Sequence, residues 1–364
     1  MNVQALKDLV PRRDQPLHQY VKDTVVTAIE TGHFKPGERI NSTQELSRQL
    51  EVSVVTVHRA LQELVSNGIL DRRQGLGTFV VDQNERERQL KQLLRIGVVI
   101  RAQAMIGDYY YGQLIEGLRQ AANKHRVELT MKHYESDLAN PCHAYIHINP
   151  MQNEVSYFNS RLKKDLPGVV LSANSEFPNI ASVGVDNVDL AKQAVDHLYQ
   201  MGHRKIAYIG GPLILSDNYD RQKGFLERCK EIKLDVDEEH ILLSQKSMLS
   251  QEEKTQLNTM FASSNRPTAI FAAGFYFALN AYEVAARLHL KIPQDLSVIG
   301  VDDPRSSMYL LPPLTTMRQP LVETGHAALS LLVEYLRGET LQLQNQTLRS
   351  DLIIRQSTAA APNL

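Results

Sequence analysis

The segment that follows Ser53 carries side chains suited to reading DNA. At helical spacing, residues 54–66 have one apolar face and an opposite face that mixes methyl groups with hydrogen-bonding groups. The opposite face consists of Val54, Val55, Thr56, His58, Arg59 and Gln62. A solvated helix face usually carries lysine and glutamate, whereas this mixture matches the donors, acceptors and thymine methyl groups of a DNA groove. We therefore predict that this face contacts base edges.

Three helices and a hairpin are predicted to position this face. The predicted helices cover 17–31, 43–50 and the stretch from Ser53 to Asn67, and the predicted strands cover 69–72 and 78–81. Ser42 and Glu45 have the spacing of a capping box, and Ser53 is a second N-cap candidate. Glycines between the two strands permit a tight hairpin tip. This order is that of a winged helix-turn-helix, whose third helix enters the major groove while its wing approaches the backbone.

Residues 16–80 resemble the DNA-binding domain of the GntR family. The resemblance rests on the Pro36-Gly37 turn, the two helices that follow it and the wing sequence RRQGLGTFV, which begins at Arg72. It implies that residues of helix two, helix three and the wing contact DNA. The predicted contacts are Ser42, Thr43, Gln44, Ser53, Val54, Thr56, His58, Arg59, Arg73, Gly75 and Gly77.

Three of these positions depart from the family pattern. Gln44, Val54 and His58 stand where the family usually has arginine. An arginine fork donates two hydrogen bonds to a guanine edge, and none of the three replacements can reproduce that contact. We therefore expect an operator unlike the common family consensus. A·T-rich positions fit, because valine can contact a thymine methyl group and glutamine can read adenine.

From Arg95 onward the sequence alternates between apolar strands and amphipathic helices. The predicted strands cover 96–100, 127–133, 167–172, 206–210, 269–272 and 296–301, and the predicted helices cover 113–125, 190–201, 221–232 and 278–288. This alternation predicts an α/β fold of parallel sheets flanked by helices. Ligands of such folds bind beyond the carboxyl ends of the strands, so a cleft between two sheets is the predicted binding site.

Residues 95–360 resemble the sensor domain of the LacI family. The matching segments include RIGVVI, SVGVDN, HLYQMGHRKIAYIGGP, KIPQDLSVIGVDDP, LPPLTTMRQP and DLIIRQST. By position, Arg221 and Asp302 match the family's charged ligand contacts, and Phe275 replaces a polar one. The tyrosines that follow Asp108 stand in place of an Asn-Pro-Phe-Phe element that lines the cleft. The predicted effector-binding residues are Asp108, Tyr110, Tyr111, Arg221, Phe275 and Asp302.

A GntR-type reader joined to a LacI-type sensor is similar to the arabinose-repressor subgroup. The resemblance implies a sugar or a sugar derivative as effector. An arginine fork and a carboxylate suit such a ligand, because both form charge-assisted hydrogen bonds with hydroxyl groups. The predicted domains are a winged helix-turn-helix over 1–81, a charged linker over 82–94 and a two-lobed periplasmic-binding-protein-like domain over 95–364. This last domain is expected to bind the effector and to form a homodimer.

Composition restricts the class of protein. A chain of 364 residues with 43% hydrophobic and 22% charged residues suits two or three globular domains. The net charge of -1 argues against indiscriminate binding to nucleic acid. No apolar run reaches the roughly 18 residues needed to span a bilayer, and residues 1–15 lack the apolar core of a signal peptide. We therefore expect a cytoplasmic protein with no membrane partner.

Other chemistry has little support in the sequence. Cys142 and Cys229 match no metal-ligand spacing, and His143 and His147 lie four residues apart on one strand without a nearby third ligand. The glycine pair before Pro212 lacks the dinucleotide-binding pattern and is interpreted as a loop at the cleft mouth. No nucleophile elbow or phosphate-binding loop is present. We expect neither a cofactor nor a metal.

Three hypotheses from different classes remain. An enzyme would need a catalytic constellation in the cleft, and a transport component would need an export signal and would leave residues 17–81 without a role. The leading hypothesis is a ligand-responsive transcription regulator that binds a palindromic operator as a homodimer, in which two-fold symmetry matches the two half-sites. Repression relieved by a sugar is the expected sign of control, with a non-sugar ligand as the alternative.

Overall fold

The computed structural model describes residues 6, 9–10, 16–73, 76–82, 93–102, 104, 107–136, 142–151, 153–162, 166–173 and 177–362. The chain forms two compact units. The first contains residues 1–92 and 337–341, and the second contains residues 93–336 and 342–364. Most of the predicted linker lies outside the described residues.

The first unit is three helices and a hairpin. Its elements are α1 (Leu17–Glu30), α2 (Thr43–Leu50), α3 (Val54–Ser66), β1 (Leu70–Arg73) and β2 (Gly77–Val80). The apolar faces of the helices meet in one core that includes Val21, Val25, Val57 and Leu64. Helix α1 ends before Gly32, whose φ of +76° is in the left-handed region that glycine tolerates.

Two serines begin the second and third helices as predicted. The Ser42 backbone N–H donates to Glu45 Oε2 at 2.8 Å, and the Glu45 N–H donates back to Ser42 Oγ at 3.3 Å. Ser53 Oγ accepts a hydrogen bond of 3.1 Å from the backbone N–H of Thr56. These bonds satisfy amides that have no partner within the helix.

The hairpin is antiparallel, with Leu70 opposite Val80 and Arg73 opposite Gly77. Gly77 has a φ of +122°, which only glycine adopts without strain. The chain before α2 is attached to strand β2, because the Ile40 N–H donates to the Thr78 carbonyl oxygen at 2.9 Å. The hairpin is thereby tied to the helices that it follows.

The second unit has two lobes, each with a six-stranded sheet. The helices are α4 (Tyr109–His125), α5 (Glu154–Ser160), α6 (Asn187–Gln200), α7 (Ser216–Glu231), α8 (Gln251–Ala262), α9 (Phe275–Arg287) and α10 (Leu321–Leu336). The strands are β3 (Leu94–Ile100), β4 (Val127–His133), β5 (Ala144–Ile148), β6 (Gly168–Leu171), β7 (Ile180–Val185), β8 (Ile206–Gly210), β9 (Ile241–Leu243), β10 (Ala269–Ala272), β11 (Ser297–Val301), β12 (Thr315–Arg318), β13 (Gln346–Leu348) and β14 (Asp351–Ile353). Short 3-10 helices occupy Glu238–His240 and Arg305–Tyr309.

The two sheets share one design. The first lobe has strand order β13-β7-β6-β5-β3-β4 and is parallel throughout. The second lobe has order β14-β12-β11-β10-β8-β9, and only its edge strand β14 is antiparallel. The α/β prediction is therefore confirmed.

The chain passes between the lobes three times. It leaves the first sheet after β7, returns after β12 to place α10 against the first lobe, and leaves again between β13 and β14. Helix α10 crosses α4 at two glycines. A Cβ atom on Gly325 would lie 2.2 Å from the Leu114 carbonyl oxygen, and one on Gly117 would lie 2.0 Å from the Val322 carbonyl oxygen.

Several predicted boundaries were wrong at the helix starts. The helices predicted from residues 113, 190, 221 and 278 begin three to five residues earlier, at Tyr109, Asn187, Ser216 and Phe275. Asp108 and Asp186 cap the first two of these helices, accepting from the backbone N–H groups of Tyr109 and Asp189. Most residues of these first turns do not pack in an apolar core, so apolar periodicity does not reveal them.

Strand β5 begins at Ala144, so it contains His147 but not His143, and the prediction that both histidines lie on one strand was wrong. All five of its residues are buried, because both faces of this central parallel strand are covered. His147 is packed among Tyr134, Tyr145 and Phe158. Within the described part of the chain, no helix is both long and apolar enough to span a bilayer.

Candidate DNA-binding surface and effector cleft

Helix α3 presents an exposed apolar pair beside polar groups. Val54 is 48% exposed and Val55 is 79% exposed, while Val57, Ala60 and Leu61 on the opposite face are buried. Neighbouring exposed apolar side chains with polar groups around them are compatible with a surface that binds a partner. His58 and Arg59 are also exposed on this helix. The face predicted to contact bases is therefore open to a partner.

His58 is held by a residue that the sequence did not single out. Arg72 Nη1 lies 3.3 Å from His58 Nε2. An arginine side chain can only donate, so Nε2 must be the acceptor and the proton of the neutral ring must sit on Nδ1. The ring then offers a donor at Nδ1, which suits acceptor atoms such as purine N7. The only sequence signal for this role is the position of Arg72 in the wing motif.

The remaining predicted DNA contacts lie at the starts of α2 and α3 and in the wing. The hydroxyls of Ser42 and Ser53 cap helices, and Ser53 Oγ also lies 2.8 Å from Thr56 Oγ1. Gln44 is exposed at the start of α2, next to the half-buried Thr43.

In the wing, two predicted contacts are tied to their own domain. Arg73 Nε donates to Asp71 at 3.0 Å, and the Arg73 guanidinium lies 4.5 Å from the centre of the Phe79 ring. Gly77 lies so close to Arg39 that a Cβ atom would be 2.5 Å from its Nε. Gly75 lies outside the described residues.

A cleft of about 650 Å³ opens in the second unit, lined by residues of both lobes. It lies at the carboxyl ends of the strands, where β3, β8, β10 and β11 lead into its lining. All six predicted effector-binding residues line this cleft: Asp108, Tyr110, Tyr111, Arg221, Phe275 and Asp302. Gly211 and Pro212 of the predicted mouth loop line it as well.

Arg221 is a buried cation in the cleft lining. It is 4% exposed and projects from α7. Its Nε donates to Asn187 Oδ1 at 2.8 Å, its Nη1 donates to the Ala273 carbonyl oxygen at 3.0 Å, and its Nη2 lies 3.6 Å from Asp217. These contacts fix the guanidinium from three directions. A buried and oriented donor discriminates strongly between ligand geometries.

Asp302 supplies the opposite charge. It follows β11 with a φ of +73°, and its Oδ1 accepts a hydrogen bond of 2.7 Å from Gln319 Nε2. Burial raises the pKa of Asp302, and the nearby Arg221 guanidinium opposes this shift by favouring the carboxylate. A positive φ is a sparsely populated conformation for a residue other than glycine, and Asp302 adopts it in the cleft lining. Such strain is typical of binding sites.

Aromatic side chains line the cleft from both lobes. Tyr109, Tyr110 and Tyr111 form the first turn of α4, and Phe275, Tyr276 and Phe277 form the first turn of α9. Tyr110 hydrogen-bonds Ser172 through its hydroxyl, and burial raises its pKa well above the usual range. Burial also raises the pKa of Tyr109 to about 12.

A hydrogen bond between Tyr276 and Asp108 joins the two lobes across the cleft. Tyr276 Oη donates to Asp108 Oδ1 at 2.8 Å, and this contact with the carboxylate raises the pKa of Tyr276. Tyr276 belongs to the second lobe, whereas Asp108 caps the first helix of the first lobe.

Sequence reasoning missed part of the lining. The missed polar residues include Arg101, Asn149, Asp217, Asn218, Gln245 and Lys246. Asn149 directly follows β5, and this place at the end of a strand is the only feature of the sequence that could have suggested a role in the cleft. Its side-chain Oδ1 is buried and has no hydrogen-bond partner among the described residues.

One group of possible metal ligands lies outside the cleft lining. Asp237, Glu239 and His240 bring ligand atoms within 4.8 Å of one another, and the Asn265 side chain donates to both carboxylates. The backbone N–H of Arg95 donates to His143 Nδ1 at 3.0 Å, while His147 lies in the aromatic cluster. The two histidines considered from the sequence therefore have different surroundings.

Two family models match the chain. Residues 17–80 match the bacterial regulatory proteins of the gntR family, and residues 195–358 match a periplasmic binding protein-like domain. The arabinose metabolism transcriptional repressor of Halalkalibacterium halodurans is 25% identical over 369 residues, covering 94% of this chain and 97% of that protein. The transcriptional repressor CytR of Escherichia coli K12 is 32% identical over 202 residues, covering 55% of this chain and 58% of that protein.

Solved structures show the same fold. A lac repressor dimer bound to operator and an anti-inducer superposes with a TM-score of 0.63 at 22% identity, covering 78% of this chain and all of that chain. A LacI-type regulator from Alkaliphilus metalliredigens complexed with D-xylulofuranose gives 0.60 at 24% identity, covering 72% and 98%. The chain is a transcription regulator that joins a DNA-binding domain of the gntR family to a ligand-binding domain with the fold of LacI-family regulators.

Proposed function

We propose that this protein represses its target genes and that a carbohydrate-derived effector relieves the repression. The observation that carries the proposal is the cleft, in which Arg221 and Asp302 offer an oriented cation and a carboxylate to one ligand. Hydroxyl groups both donate and accept, so a sugar can bond to both groups at once. A relative named for arabinose metabolism supports the same class of ligand.

The six predicted cleft residues would hold the effector, and the predicted contacts on α2, α3 and the wing would hold the operator. Two copies of the chain would bind a palindromic site, because each head reads one half-site. Effector and operator then influence each other reciprocally, by roughly 1–3 kcal/mol in typical allosteric proteins. The expected effector lowers operator affinity by that amount.

We further propose that the protein acts in the cytoplasm without catalysing a reaction. The two relatives described above support this proposal, since both are named as transcriptional repressors. Within the described residues, the cleft holds no serine or cysteine nucleophile paired with a histidine base.

Operator and effector binding can be tested together. We would measure binding of the full chain to its own upstream DNA by fluorescence anisotropy, with and without each of a panel of sugars and glycosides. We expect specific binding that one ligand weakens by about fivefold or more.

The Arg221→Met variant should bind DNA normally and lose the response to that ligand. Arg228→Met is the matched control, because Arg228 lies on the same helix and its guanidinium pairs with Asp196 and Glu231 outside the cleft. An unchanged response in Arg221→Met would show that the cleft is not the effector site. Tighter DNA binding with ligand would reverse the proposed sign of control.

A further inference from the structure

The aromatic lining of the cleft exceeds what a single sugar ring needs. Five of its rings are only partly buried: Tyr109, Tyr110, Tyr111, Phe275 and Tyr276. One aromatic face is enough to cover the apolar face of one sugar. The volume of about 650 Å³ is also in the range of pockets that enclose ligands larger than a monosaccharide.

Within each lobe, two neighbouring rings of the lining meet edge to face rather than face to face. Tyr110 and Tyr111 meet at 89° with centroids 5.4 Å apart, and Phe275 and Tyr276 meet at 63° with centroids 5.8 Å apart. In an edge-on pair, one ring keeps both of its faces free of the other ring. A planar unsaturated ring can stack on such a face, with favourable dispersion and quadrupole interactions.

An unsatisfied acceptor points to a donor on the ligand. Asn149 Oδ1 is buried in the cleft lining and has no hydrogen-bond partner among the described residues. A buried acceptor without a partner destabilises the protein unless a ligand or water supplies a donor. The polar end of the cleft is already matched to hydroxyl groups by Arg221 and Asp302. The ligand should therefore carry a hydrogen-bond donor for Asn149 in addition to the hydroxyl groups that match Arg221 and Asp302.

From these observations we infer that the effector is a glycoside whose aglycone is a planar ring with an N–H or O–H donor. The inference rests on the proposed function, since it names the ligand of the same cleft. The sugar binds Arg221 and Asp302, the ring stacks on Phe275, and the donor of the ring bonds to Asn149. Nucleosides and aryl glycosides share this chemistry.

Isothermal titration of the full chain can test the inference with matched probes. The ring-bearing probes are cytidine, uridine, adenosine and the 4-aminophenyl and 4-hydroxyphenyl β-D-glucosides, and the ring-free probes are ribose, glucose and their methyl glycosides. We expect at least one ring-bearing probe to bind about tenfold more tightly than its ring-free counterpart. The tightest probe shows whether the ring is a nucleobase or an aryl group.

Three variants extend the test. Phe275→Leu should weaken the ring-bearing probe about tenfold and leave the methyl glycoside unchanged, and Asn149→Leu should act on the ring-bearing probe alone. Tyr157→Leu removes an aromatic ring that is exposed on α5 and absent from the cleft lining, and it should change neither.

Equal affinity for ring-bearing and ring-free probes would overturn the inference, and so would the failure of every ring-bearing probe to bind. Binding without any effect on the operator would contradict the proposed function alone. Operator release by a ring-free sugar, with no ring-bearing probe bound, would contradict the inference alone.

Discussion

At the scale of single residues, His58 shows how a neighbour sets what a side chain can recognise. Arg72 occupies Nε2, so Nδ1 of the neutral ring is left to donate. The sequence indicated that His58 replaces an arginine, but it could not show that an arginine from the wing strand reaches the same ring. The contact arises from the packing of β1 beside α3, and only the fold brings these residues together.

His58→Ala should weaken operator binding about fivefold while leaving effector binding intact, because one donor to a base edge is lost. Arg72→Met should weaken binding as well, since the ring is no longer held in one tautomer. Anisotropy titrations at constant salt would measure both effects. His33→Ala serves as the control, because it removes a histidine that follows α1 rather than one on α3. Normal affinity in both test variants would rule out this role for α3.

His147 makes the stability of the protein depend on pH. Burial lowers the pKa of His147 from about 6.5 to about 3, so the folded protein keeps the ring neutral where the unfolded chain takes up a proton. The stabilisation is complete above pH 6.5 and is lost as the pH falls toward 3. We expect the free energy of unfolding to drop by about 1 kcal/mol between pH 7 and pH 5.5 from this group.

Urea unfolding at the two pH values would measure the drop, and His147→Leu should reduce it. His33→Leu provides the comparison at a more exposed position. An equally large drop in His147→Leu would assign the pH dependence to other groups.

At the scale of elements, the sequence predicted most of the helices and strands but misplaced the helix starts that face the cleft. Core-facing positions such as Leu114 and Leu118 repeat with the helical period, so the body of α4 was evident. Its first turn carries three consecutive tyrosines, which line the cleft and also pack, partly buried, against the core of the first lobe, and three consecutive aromatic residues do not follow the helical period. Asn149 was missed for a related reason, since a lone asparagine after a strand has no periodic signal.

The crossing of α4 and α10 depends on glycine. Gly325→Ala should lower the free energy of unfolding by about 2 kcal/mol, because its Cβ would lie 2.2 Å from the Leu114 carbonyl oxygen and the helices would have to separate. Thermal unfolding followed by circular dichroism would show a lower Tm. Gly184→Ala is the matched control, since its Cβ would meet its nearest neighbour at an ordinary 3.6 Å. An equal Tm in both variants would contradict the close packing of the helices.

At the scale of the whole second unit, the Tyr276–Asp108 hydrogen bond favours the arrangement in which the lobes meet. A hydrogen bond to a charged group contributes about 1.5–3 kcal/mol. Tyr276→Phe keeps the ring and removes this bond, so we expect the ligand-free lobes to separate more often. Spin labels at Gln120 and Glu252, one on each lobe, would report longer distances by pulsed electron resonance.

Tyr282→Phe is the control for that measurement, because it deletes the same hydroxyl from a bond to the Pro312 carbonyl oxygen within one lobe. Distances that stay the same in Tyr276→Phe would show that other contacts hold the lobes together.

Because the chain passes between the lobes three times, the parts of each lobe are synthesised at different times. The first sheet begins at Leu94, but its edge strand β13 ends at Leu348, and α10 covers it only after residue 336 has been made. Until then the emerging first lobe exposes the apolar face that α10 will cover. The second lobe has by that time acquired all its strands except β14. The lobe that is started first is therefore completed only after nearly all of the second lobe has been made, and a chain that stops before residue 320 leaves both lobes incomplete.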